Sequence, residues 1–235
     1  MASFKTHLSF GAIIGIAIII IVSIYSLVSN NNLLPILFFA AVFGSFLPDL
    51  DSDEGLPFQI IFGVFSLAGA GIAFYYFYQK NPKNYATLII ATIIAFILLR
   101  FVLGALFKKF THHRGIFHSI PALFAATFAA LLSADRFNIS PQDKILIAAT
   151  IGLGFLSHLI LDEVKSFVNF RGVIFSPKKS LGSALKFFSD SKIANIAIYA
   201  LLAILIYLNY PMITEISHSV SKTLHHTPAF SHLII

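Results

Sequence analysis

The chain has 235 residues, 57% of them hydrophobic and only 11% charged, with a mean hydropathy of +0.87. Soluble domains carry about 25% charged residues, so this composition excludes an ordinary soluble domain and places the chain in lipid. The absence of cysteine excludes disulfides and thiolate metal sites, and a formal charge of +6 reads as basic loops meeting anionic headgroups rather than as a nucleic-acid surface.

Seven apolar runs predict seven membrane-spanning helices, at about 8–28, 33–47, 57–78, 85–107, 117–133, 145–161 and 192–209. The second, fifth and sixth are short for a span. The first run is too long for the core of a signal peptide, and residues 28–31 make a poor cleavage site, so it is expected to stay as a helix. Gly11 and Gly15 make a GxxxG pair, and Gly69, Gly71, Gly152 and Gly154 are further small residues in the third and sixth runs that let helices approach closely. Packing within the chain is the expected use. The expected fold class is an all-α polytopic bundle, one domain over 1–210 with a tail at 211–235.

Four polar clusters interrupt this background. His7 precedes the first run. Asp49, Asp51, Asp53 and Glu54 follow the second. His112, His113, Arg114 and His118 precede the fifth, and His158, Asp162 and Glu163 end the sixth. Alternating seven spans puts all four clusters on one side of the bilayer. That side also collects ten Lys and Arg residues against five on the other, with Arg100 inside a span left out. The excess predicts that the clustered side is cytoplasmic. The histidines near the C-terminus, His218, His225, His226 and His232, fall on the opposite side.

The chemistry of the clusters suggests a metal. Four acids in six residues repel one another beside lipid, and a cation relieves this. His158 and Asp162, four apart on a helix, project from one face and can share an ion. Ionisable residues inside a span are expensive and point to function. Ser119, with Pro121 two residues on, reads as a helix N-cap, so the His113–His118 stretch lies at a helix N-terminus suited to an anion. Imidazole and carboxylate without thiolate fit zinc first, with Mn²⁺, Fe and Mg²⁺ as alternatives, and the donor count allows two ions. Serine–histidine adjacency at Ser119 and Ser157 is not triad geometry, and no phosphate-binding glycine loop appears. The basic stretch 165–192 reads as a positive loop with an interfacial segment at 178–186 able to meet lipid phosphates.

Taken in order, Phe4-Lys5-Thr6-His7-Leu8, Leu47-Pro48-Asp49-Leu50-Asp51-Ser52-Asp53, His113-Arg114-Gly115-Ile116-Phe117-His118-Ser119 and His158-Leu159-Ile160-Leu161-Asp162-Glu163 resemble the YdjM-like, LexA-regulated inner-membrane family described as metal-dependent hydrolases. The stretch Lys178-Lys179-Ser180, with Gly182 and Ala184-Leu185-Lys186, is similar to one branch of it. The resemblance covers about residues 2–190 and implies an inner-membrane location and a His/Asp metal centre. A looser similarity to zinc-dependent phospholipases C and related nucleases suggests phosphodiester substrates. The expected ligands are His7, Asp49, Asp51, His113, His118, His158 and Asp162, with Glu163 as general base and Arg114 steadying a developing anion. Membrane lipids are the expected partners, and a phospholipid headgroup or other phosphoester the expected substrate. A purely structural metal site and an ion transporter are the rivals. The motifs sit at helix ends rather than mid-span, which counts against the transporter.

Overall fold

The computed structural model describes residues 3–51, 56–110, 115–167 and 185–226. These form eight α-helices: α1 (Phe4–Ile24), α2 (Leu33–Gly44), α3 (Leu56–Lys80), α4 (Tyr85–Ile97), α5 (Gly104–Phe110), α6 (Ile120–Ala134), α7 (Pro141–Phe167) and α8 (Lys192–His226). A 3₁₀ turn, Leu47–Asp51, follows α2, and a π-helical turn, Leu98–Leu103, joins α4 to α5 as one rod. Helix is the form that satisfies every backbone group inside hydrocarbon.

Each predicted apolar run becomes helical, but the expected count of seven full spans is not what the lengths give. Five helices are long and apolar enough to cross a membrane: α1, α3, the α4–α5 rod, α7 and α8. The helices α2 and α6 have 12 and 15 residues. At about 1.5 Å per residue they reach roughly 18 and 22 Å, short of the roughly 30 Å hydrocarbon core. The sixth run, expected to be short, becomes the 27-residue α7. Its polar ends extend it. Ser140 Oγ accepts the Asp143 N–H at 3.1 Å to start the helix, and Asp162 is buried at the other end. Helix α8 runs through residue 210 to His226.

Helices α1 and α7 run in opposite directions, as expected of the first and sixth segments. At one end of the bundle, buried Asp143 accepts the Ser29 N–H at 3.1 Å, and Gln142 Nε2 donates to the Leu27 carbonyl at 2.8 Å. The start of α7 thus holds the end of α1. At the opposite end His7 of α1 meets Asp162 of α7. These two helices are therefore antiparallel, and α2 runs between them alongside α7.

Helix α7 is the hub. Half of its apolar window is buried, against 11–22% for the other four long helices, whose exposed Ile, Leu and Phe faces meet lipid. Helix α7 packs on α1, α2 and α6. The approach to α2 is backbone to backbone: a Cβ at Gly44 would strike the Ile151 carbonyl, and one at Gly154 the Ala41 carbonyl. A Cβ at Gly11 would strike Ser45, and one at Gly15 would crowd Phe38. The small residues thus serve packing within the chain. Asn209 ties α8 to α6 by donating from Nδ2 to the Phe128 carbonyl at 3.0 Å.

Candidate metal centre

Four chain segments deliver the site. Ser3 caps α1 by accepting the Thr6 N–H at 3.3 Å, which sets His7 in the first turn, facing α7 and one turn before Gly11. The 3₁₀ turn brings Asp49 inward from the end of α2. His118 precedes the N-cap residue Ser119, whose hydroxyl accepts the Ala122 N–H at 3.3 Å and donates to the Ile116 carbonyl. Lys186 pins the same spot, its carbonyl accepting the Ile120 N–H at 3.0 Å. His158 and Asp162 come from one face of α7.

These five side chains converge. His118 Nε2 lies 3.5 Å from Asp49 Oδ1 and 4.0 Å from Asp162 Oδ2. His158 Nε2 lies 3.6 Å from Asp49 Oδ1 and 3.9 Å from Asp162 Oδ2. His7 Nε2 lies 3.3 Å from Asp162 Oδ1. Two triads result, His7–His158–Asp162 and Asp49–His118–His158, and His158 belongs to both. Ligand bonds of about 2.0–2.1 Å in a tetrahedron give ligand–ligand edges of about 3.3–3.4 Å. The shortest contacts, 3.3 and 3.5 Å, match this and the others run up to 4.0 Å, so each triad needs a contraction to close on an ion.

Burial and protonation agree with that fit. His7, His118 and His158 each keep 1% of their surface exposed, and Asp162 2%. His158 Nδ1 lies 2.7 Å from the Ser45 carbonyl. A carbonyl only accepts, so Nδ1 carries a proton, which leaves Nε2 as the nitrogen that can offer a lone pair to a cation. That Nε2, and both ring nitrogens of His7, find no hydrogen-bond partner among the described residues. Buried polar atoms in that state are costly, and a cation satisfies them. The His7 and His158 rings stack at 3.6 Å and 12°, an arrangement two imidazolium charges would oppose. Burial works against ionising Asp49. In the metal-free site the hydrogen bond from His118 and positive charge at the His158, His118 and His7 rings outweigh it and hold the carboxyl below its ordinary range, and a cation would supply that charge without protonating the stacked rings.

Of the seven ligands expected from sequence, five are brought together. His113 lies outside the described residues, as do Arg114, His112, Asp53 and Glu54; the Asp51 side chain is likewise not described. Most of the basic 165–192 stretch is also outside. Glu163 is partly buried and belongs to neither triad among the described residues. Sequence reasoning missed Ser45, which acts through its backbone carbonyl and leaves no side-chain signature. The signal that could have found it is the glycines Gly44 and Gly154, whose close approaches to the Ile151 and Ala41 backbones bring α2 onto the turn of α7 before His158.

A bound ion would join the Asp49 and Asp162 carboxylates and three buried imidazoles in the folded chain and not in the unfolded one. Stripping divalent ions with a chelator is therefore expected to lower the Tm in detergent, and zinc to restore it. At an ion concentration 100-fold above Kd the stabilisation is about 2.7 kcal/mol. An unchanged melting curve would remove the ion from the fold.

No curated protein and no solved structure matches the chain at a significant level. The family model of the YdjM inner membrane protein matches residues 1–217 of the 235. That match takes in every described site residue, and this chain belongs to the YdjM inner membrane protein family.

Proposed function

We propose that this protein is a membrane-bound metal-dependent hydrolase that cleaves a phosphoester, with a phospholipid headgroup as the favoured substrate. The observation that carries the reading is the convergence of five His and Asp side chains from four segments, four of them buried and Asp49 partly buried, with His158 Nε2 aimed inward. His7, Asp49, His118, His158 and Asp162 would hold the ion, and the mixed imidazole and carboxylate set favours zinc. When bound, such an ion supplies Lewis acidity toward a phosphoryl oxygen and lowers the pKa of water. The chain's own groups do the rest. Ser45 fixes the His158 ring, and the apolar walls exclude bulk water. Glu163, next to Asp162 and partly buried, serves as general base at the site's edge. Arg114, four residues before His118, steadies the anion that develops. The ten-to-five excess of basic residues supports a cytoplasmic-facing centre.

The near-complete burial of the three histidines favours a second reading, an ion with a closed shell that only braces the bundle. Metal analysis of the purified protein, paired with assays on phospholipids and on a generic phosphodiester, separates the two. The expected result is stoichiometric metal with metal-dependent hydrolysis, both lost in Asp49→Ala. Bound metal without hydrolysis of any substrate would select the bracing role. A wild-type protein that takes up no metal would end both readings.

A further inference from the structure

Beside the centre lies a cavity of about 620 Å³ whose described walls are all Leu, Ile, Phe or Ala. Helix α3 contributes Phe65, the α4–α5 rod Phe107, and α8 Ala197 and Leu201. All three elements are long and apolar enough to cross the membrane, and their apolar faces wall the cavity. Its remaining wall includes Leu50 and Phe117. Leu50 directly follows Asp49, and Phe117 directly precedes His118. The cavity therefore ends on the backbone that presents two of the converging side chains.

We infer that this cavity seats one hydrocarbon chain of a membrane lipid whose phosphoester head lies at the His/Asp centre. The identity of the head rests on the hydrolase reading; the seat of the chain does not. The volume lies within the roughly 300–1,000 Å³ of ligand pockets. No wall residue offers a hydrogen bond, so a polar molecule would lose its hydration there without compensation. A hydrocarbon chain loses nothing. A second apolar cavity, of about 570 Å³, meets the 3₁₀ turn only through Leu47. It extends instead to Leu33 at the start of α2 and to Phe137, three residues past the end of α6. A chain held there would not deliver its head to the centre.

The test uses the full chain in phospholipid nanodiscs doped with a phospholipid carrying a diazirine in its acyl chain. Illumination and peptide mapping are expected to show labelling at Phe65, Phe107 and Leu201 several-fold above that at the exposed α1 residues Ile13 and Ile20. Ala197→Phe narrows the cavity from an exposed position on α8 and is expected to abolish that excess. Equal labelling of the cavity and α1 in the wild type would overturn the inference. With a long-chain phosphoester and its short-chain analogue, Ala197→Phe is expected to lower the ratio of their kcat/KM by about tenfold, the effect of displacing roughly two methylenes. An unchanged ratio would overturn the link between chain and centre. A wild type that hydrolyses nothing but keeps the labelling excess would sink the hydrolase reading and leave the chain's seat standing.

Discussion

Replacing His158 with alanine is expected to strip the protein of bound metal and of metal-dependent hydrolysis, while replacing His7 removes only part of either. The difference follows from position. His158 belongs to both triads, with Nε2 3.6 Å from Asp49 and 3.9 Å from Asp162, whereas His7 belongs to one. Loss of His158 also leaves the Ser45 carbonyl without the ring that donates to it at 2.7 Å. An orphaned buried acceptor costs about 1–3 kcal/mol. The Asp49 and Asp162 carboxylates would then each lose an imidazole neighbour. Residues that merely orient a metal ligand are worth about 10–100-fold in affinity. Loss of the shared ligand should exceed that range, and loss of His7 should fall near it. Competition against a calibrated chelator measures both. Stoichiometric metal retained by His158→Ala would dismantle the centre. Equal losses in the two variants would mean that His158 is not shared and that all five donors act as one set.

The bundle and the centre were legible in sequence to different depths. Hydrocarbon demands long apolar runs, so the helices stood out, and their alternating direction alone put His7, Asp49, His118 and His158 at one end. The spacing of His158 and Asp162 on a helix carried directly into a shared face. The Ser119 cap with Pro121 behind it was equally readable, because capping is local chemistry. What stayed hidden depends on contacts between segments. Hydropathy cannot tell where a 12-residue helix gives way to a 3₁₀ turn, so the run at 33–47 overshoots α2 and leaves the Asp49 turn to read as plain loop. Polar residues at both ends of α7 masked its true length, since Asp143 and Asp162 become affordable inside the helix only through partners on other segments. The Ser45 carbonyl is tertiary by nature.

Gly154→Ala is expected to damage the centre from one turn away, while Gly71→Ala leaves it intact. A methyl group on Gly154 would run into the Ala41 carbonyl and crowd the Ser45 backbone nitrogen, 3.1 Å from the added carbon. The obstacles are backbone atoms of α2, so no side-chain rotation relieves them. The helices α2 and α7 must separate, and overpacking of this kind costs about 1–3 kcal/mol. Separation also draws the Ser45 carbonyl away from His158 and Asp49 away from His118, since both α2-side groups move together. The variant should therefore lose metal affinity as well as thermal stability, although Gly154 touches no ligand. Gly71 has nothing within 4 Å of the added carbon. Alanine there gains the roughly 0.5–1 kcal/mol helix preference over glycine and disturbs no contact. Melting curves in one detergent, with metal content measured on the same preparations, compare the two. If Gly154→Ala melts lower yet binds metal as the wild type does, the α2–α7 contact supports the fold without positioning the centre. If it melts and binds as the wild type does, the close approach of the two helices is itself wrong.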